Sequence, residues 1–268
     1  MPYLAGGWRI HMKKLRMQMA ATAVVVLAVT VLADSGGHAV AFNGNTDGSG
    51  SYVIVPDSDA FDLQQPFTLE AWLNWNGDNG YRVFLSKPAM TTSTGLTMVV
   101  WDGLPCLATQ RPGAGRVTCA AAPLSPSTWT HVAATYDGQV QTVYVNGVES
   151  NQQDFGFVAY PASDSDFGES TPLIIGREFL IGLEDRTFPG TLDEIRIWNT
   201  QLAPSTIQEQ YARSANGSHP DIGGLVAYYQ FNEGLSRDRQ TQDHTEHGHD
   251  GMLMNGAMRV KSTVPFVP

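Results

Sequence analysis

Basic charge, cysteine and long apolar runs are all scarce in this sequence. Sixteen Lys and Arg face 26 Asp and Glu, for a net charge of −10. Beyond residue 33 the only lysines are Lys87 and Lys261. Such a surface repels a polyphosphate backbone, which excludes nucleic acid as a partner and favours divalent cations and neutral or cationic ligands. With only Cys106 and Cys119, a cysteine-rich metal centre is excluded. The longest apolar run, Met19 to Ala33, is about fifteen residues, shorter than a membrane span needs. It follows Lys13, Lys14 and Arg16 and ends in a small-residue site, which predicts a signal peptide over residues 1–33, with cleavage after Ala39 as the second choice. Met12, in MKKLRM, opens a tidier signal than Met1 does. Its removal takes away Arg9, Lys13, Lys14 and Arg16 and no acid, leaving a mature charge of −14. The mature product is expected in the periplasm or the medium, without a membrane anchor. The chain also lacks G-x-S-x-G, H-E-x-x-H and phosphate-loop motifs, and has no Cys–His pairing with a free thiol.

What is present reads as strands and turns. From Ala39 onward, AVAFNG, SYVIVPD, FTLEAWLNW, YRVFLSK, GLTMVVWDG, TWTHVAATYDG, VQTVYVNG, TPLIIG, TLDEIRIWN and GLVAYYQFNEG are short, rich in β-branched or aromatic residues, and bounded by Gly, Pro, Asn or Asp. About a dozen such segments without a helical period predict an all-β antiparallel sandwich of two sheets. One short helix is expected near residues 205–213, with Ser205 as N-cap, Gln208 completing a capping box, and Ile207 and Tyr211 four apart. Cys106 and Cys119 flank the turn QRPGAG on adjacent strand-like runs, and in an exported chain this pairing predicts a disulfide. Residues 152–171 form the longest irregular stretch and carry Asp154, Asp164, Asp166, Glu169 and Tyr160.

Two stretches raise questions. In FTLEAWLNW, Phe67, Leu69, Ala71, Leu73 and Trp75 alternate toward a core, which sets Glu70 and Trp72 on the other face. Trp72 is there either a residue packed under a covering segment or part of a binding floor. In TLDEIRIWN, strict alternation places Asp193 on the inward face with Ile195 and Ile197. A carboxylate so placed is paired, hydrogen-bonded or bound to a cation, or it merely caps the turn after Pro189-Gly190. The tract DHTEHGHDG, with His244, His247 and His249, suits either a borderline metal or a wet polar loop.

The order of motifs, AFNG with YVIVPDS, then FTLEAWLNW, LSK, WTHVAATYDGQ with VYVNG, LIIG and GTLDEIRIWNTQLAPSTI, resembles the LamG-like jelly-roll domains, relatives of the concanavalin A-like lectins and glucanases. The resemblance covers nearly all of residues 39–260 and leaves 261–268 as a tail. It implies a jelly roll, often with one structural Ca²⁺ near the first strand and the DEIRIW strand. Asn43 and Asp193 stand at the corresponding positions, and Asp47 substitutes from a longer loop. It equally implies a module that binds carbohydrate or a protein surface, and the residues themselves offer Trp72, Tyr81, Trp101, Asp102 and Tyr160 as candidate contacts. A polysaccharide-degrading enzyme and a structural or adhesion protein are the other two readings. Against the enzyme stands the absence of the E-x-D-x-x-E stretch of the related glucanases, and adjacent acids in LDEIR that alternation sends to opposite faces.

Overall fold

The computed structural model describes residues 37–63, 66–88, 95–111, 114–156, 171–178, 186–235 and 238–266. The expected signal peptide and the positions of Tyr160, Asp164, Asp166 and Glu169 lie outside that set. The strands of the first half are β1 (His38–Asn43), β2 (Tyr52–Val55), β3 (Phe67–Trp75), β4 (Tyr81–Pro88), β5 (Gly95–Trp101), β6 (Leu104–Arg111), β7 (Ala114–Cys119) and β8 (Trp129–Tyr136). Then follow β9 (Val140–Val145), β10 (Val148–Asp154), β11 (Leu173–Ile175), β12 (Pro189–Trp198), α1 (Pro204–Gln210), β13 (Leu225–Tyr229), β14 (Gln240–Thr241), β15 (Gly251–Met254) and β16 (Met258–Lys261). They form two antiparallel eight-stranded sheets. One runs β10-β9-β8-β3-β12-β1-β16, with β13 also paired to β12; the other runs β14-β15-β2-β11-β4-β5-β6-β7. This is the jelly-roll sandwich that the sequence predicts.

Alternation places the core. Phe67, Leu69, Ala71, Leu73 and Trp75 of β3 meet Phe84, Leu85, Met98, Val100 and Leu107 of the second sheet in one buried cluster. Burying that apolar area is the main force holding the sheets together. The irregular stretch begins later than the sequence suggests, since Gln152 to Asp154 pair with β9. Among the described residues, no helix is long and apolar enough to cross a membrane.

The helix start differs from expectation. Ala203 is the N-cap and makes no side-chain cap bond, Pro204 is the first helical residue, and Ser205 lies inside the helix. Proline has no N–H to leave unsatisfied and its φ is already helical, so it outcompetes a serine cap one position later. α1 lies over the outer face of the first sheet. There Ile207, Leu202, Trp198, Tyr144 and Tyr228 form a second apolar cluster.

β12 departs from strict alternation. Leu192 and Ile195 both face the core, which requires an extra residue between them. The pairing with β3 slips between Asp193 and Arg196, and Glu194 takes a left-handed φ of +52°. The bulge turns Asp193 outward, opposite Trp72, which corrects the expected inward carboxylate.

Candidate functional site

Three places on the sandwich gather polar or aromatic side chains. The first is the outer face of the sheet that contains β3, and it is closed. Trp72 is 2% exposed, donates from its indole to the Tyr211 carbonyl at 3.0 Å, and stacks on the Tyr211 ring. The candidate binding role of Trp72 is therefore corrected: α1 and the turn after it cover the ring. Beside it Glu70 accepts from Trp198 Nε1 at 2.7 Å and meets His131 Nε2 at 3.1 Å. Burial alone would push the Glu70 carboxyl up, but the His131 bond, the Arg196 guanidinium and the Trp198 N–H outweigh it and hold it at about 2. Burial pushes the His131 imidazole down, so His131 serves as a neutral donor and Arg196 balances the charge.

The second place is a junction on β12. β3 pairs along one edge of β12, so its other partners share the opposite edge. β1 covers residues 189–192 and β13 covers 195–198. Asp193 and Glu194 fall between the two. A cavity of about 230 Å³ opens there, lined by both acids together with Gln230, Asn232, Ser262 and Phe266. The two carboxylates thus share one cavity, which corrects the expectation that neighbours in LDEIR point apart; the bulge is the reason. Glu194 accepts from the Tyr228 hydroxyl and from Gln230 Nε2 at 3.2 Å. Asp193 accepts from Ser262 Oγ, while burial and then the Glu194 charge push its carboxyl up to about 8.

Asn43, Asp47 and Asp193 do not converge. Asn43 pairs with Pro189, four positions from Asp193 along β12, and its side chain organises its own loop by accepting from Asn45 N and Ser51 N. Asp47 accepts from the Ser49 backbone in the same loop. Among the described residues, no three His, Cys, Asp or Glu side chains gather as a metal cluster. In the histidine tract, Asp243 accepts from Tyr228 N, Thr245 N and His249 N and so shapes the turn itself.

The third place brings three candidate residues together. Tyr81 and Trp101 are directly paired across β4 and β5 on the outward face of the second sheet, in edge-on contact at 5.7 Å. They border a small apolar floor of Val83, Val99 and Cys106. Trp101 is 44% exposed. Asp102, at φ +47° in the two-residue turn after β5, accepts from Gly80 N at 2.9 Å. Arg186 crosses the face with its guanidinium 4.5 Å from the Tyr81 ring centre and pairs with Glu178 at 2.9 Å, which in turn accepts from Thr97 Oγ1 at 3.2 Å. Burial and the Glu178 charge push the Tyr81 phenol up to about 12, so it remains a donor. Cys106 and Cys119 are joined in a disulfide across β6 and β7 on the same face. Arg186, Glu178 and Thr97 carry no sequence signal, because they meet only when distant segments cross one sheet.

This corner combines an exposed aromatic face, a fixed carboxylate and a phenol. Aromatic faces stack on the apolar C–H faces of small polar ligands, while carboxylates accept hydroxyl protons and phenols donate to their oxygens. The fold around it is that of an antiparallel jelly-roll sandwich. Residues 47–208, more than half of the sequence, match the family described as the concanavalin A-like lectin/glucanases superfamily, and the chain belongs to that family. No curated protein matches it by sequence. Among solved structures it is similar to a protein of Bacteroides ovatus ATCC 8483 described as carbohydrate binding, at 21% identity and a TM-score of 0.64 over 87% of this chain and 62% of that one. It spans less than two thirds of that protein's length. It is also similar to the native heptameric SAP-like pentraxin of Limulus polyphemus, at 15% identity and a TM-score of 0.57 over 86% of this chain and 98% of that one. The CBM40 of the Ruminococcus gnavus IT-sialidase, bound to α2,3 sialyllactose, shares 12% identity at a TM-score of 0.50 over 63% of this chain and 96% of that one.

Proposed function

We propose that this protein is an exported lectin-like module that binds carbohydrate at the corner formed by Tyr81, Trp101 and Asp102. The observation that carries this reading is the exposed Trp101 indole, braced edge-on by Tyr81 and placed beside a carboxylate that a turn holds fixed. Neighbours of the same fold described as carbohydrate binding support it. The Cys106–Cys119 disulfide supports export, since such bonds persist in oxidising compartments. In calorimetric titration against a panel of oligosaccharides, Trp101→Ala is expected to weaken binding about tenfold, the loss of about 1.4 kcal/mol of stacking. The variant should keep the native melting temperature, because Trp101 lies on the surface. Native affinity in the variant would move the site elsewhere.

A second proposal concerns calcium. Asp193, Glu194, Gln230, Asn232 and Ser262, all side chains that carry oxygen, line the β12 junction, and Ca²⁺ takes six to eight oxygen ligands. A carboxyl that burial and a like charge push up to about 8 is stabilised by a cation. The fit is of hard oxygen donors to a hard ion, with Asp193 and Glu194 as its charged ligands; bound there, the ion would tie β12 to the segments that follow β13 and β16. Excess Ca²⁺ should raise the melting temperature over that in chelator, and Asp193→Asn should remove the difference. Equal melting curves of the native protein in both conditions would end this reading.

A further inference from the structure

We infer that the Trp101 corner selects glycans that lack anionic groups and gains affinity when the sugar carries a protonated amine. The inference rests on the carbohydrate reading and adds the charge of the ligand to it.

Its basis is the local balance of charge. Two guanidinium groups lie close by, and both are already engaged by acids: Arg82 pairs with Asp78 at 2.5 Å and Arg186 with Glu178 at 2.9 Å. Arg186 is further occupied by the face of Tyr81. Each guanidinium charge is thus already balanced by an acid, which leaves no net positive charge there to attract a carboxylate or sulfate. Asp102 is different. One of its oxygens accepts from Gly80 N, and among the described residues no cation pairs with it. It is exposed and adjoins the exposed indole of Trp101. The corner therefore carries one uncompensated negative charge beside its aromatic face, on a chain whose net charge is −10. A ligand stacked on Trp101 sits within reach of that charge. A uronate or sialate there meets repulsion from Asp102 with no net positive charge to offset it, while an ammonium meets attraction. A neutral sugar uses Asp102 only as an acceptor for its hydroxyl groups.

The indole face adds to the same preference, because aromatic faces attract cations and repel anions. Both groups thus discriminate in one direction. The likeness to a sialoside-bound neighbour is one of fold, and the paired state of Arg82 and Arg186 argues that the ligand charge differs here.

The test is titration of the full chain with three β-1,4-linked hexamers: N-acetylglucosamine, glucosamine and a polyuronate. Low and high ionic strength are compared, about 20 mM and about 0.5 M, to set the Debye length well above and well below the reach of the charge. The glucosamine hexamer is expected to bind about fivefold more tightly than the acetylated one at low salt, the scale of one exposed charge pair. The advantage should vanish at high salt, and the polyuronate should bind most weakly. In Asp102→Asn the ratio of glucosamine to acetylated affinity should fall toward one. Asn tolerates the left-handed turn position and keeps an acceptor for Gly80 N–H, so the turn is preserved. A polyuronate that binds as well as the neutral hexamer overturns the inference, as does a glucosamine advantage that survives Asp102→Asn. If all three hexamers and a wider glycan panel fail to bind, the carbohydrate reading itself falls, and the inference falls with it.

Discussion

Glu70 is 2% exposed, and its ionised form survives there because three neighbours act on it at once. His131 and Trp198 donate to it, and Arg196 supplies the opposite charge. Removing one member leaves the others buried and unpaired, which costs more than the pair itself contributes. Glu70→Gln is expected to lower the unfolding free energy by about 3–5 kcal/mol in urea titration. The pH dependence follows from the depressed pKa. Its folded value of about 2 lies below the ordinary 4.5, so the carboxylate contributes stability above pH 4.5, and that contribution is lost as pH falls from 4.5 toward 2. The native melting temperature should drop through this window more steeply than that of the variant. Equal slopes for the two would refute the role assigned to Glu70.

At the scale of elements, β3 and β12 make a contrast. In β3 the alternation is unbroken, so the core residues Phe67 to Trp75 can be read directly from the sequence. What covers Trp72 cannot, because α1 arrives from more than a hundred residues away and only the folded chain brings Tyr211 to the indole. In β12 the bulge rests on Glu194, a residue with no special preference for a left-handed φ. Nothing in LDEIR announces it, and the face of Asp193 is misread as a result. Glycine does mark the start of the strand. Gly190 has φ +153°, and a β-carbon there would lie 2.2 Å from the Asn74 carbonyl oxygen. Gly190→Ala must push β12 away from β3, and a loss above about 2 kcal/mol is expected in chemical denaturation. A loss within about 0.5 kcal/mol, the range of surface substitutions, would mean that the two strands separate easily. At the aromatic corner, Tyr81 begins β4, Trp101 ends β5 and Asp102 lies in the turn after it, and this placement beside turns can be read from the sequence. Arg186 and Glu178 are not, since their partners are set by the crossing of segments.

Across the whole molecule, the disulfide holds β7, an edge strand of the second sheet, to β6. It closes a loop with a sequence separation of 13, for which chain entropy predicts about 3 kcal/mol. The Cys106→Ala, Cys119→Ala double variant should keep its secondary structure by circular dichroism and shift its urea midpoint down accordingly. An unchanged midpoint would show that the edge is held by pairing alone.

The two ends of the sandwich leave from one spot. His38 faces Lys261 in the ladder of β1 and β16, and Ser262 donates to the Gly37 carbonyl at 2.7 Å. A tether pulling residues 37 and 262 apart would load that ladder crosswise, one hydrogen bond after another, instead of shearing all of them together. Such a joint opens like a zip under small force. The ladder of β1 and β16 is therefore poorly suited to transmit tension between residues 37 and 262.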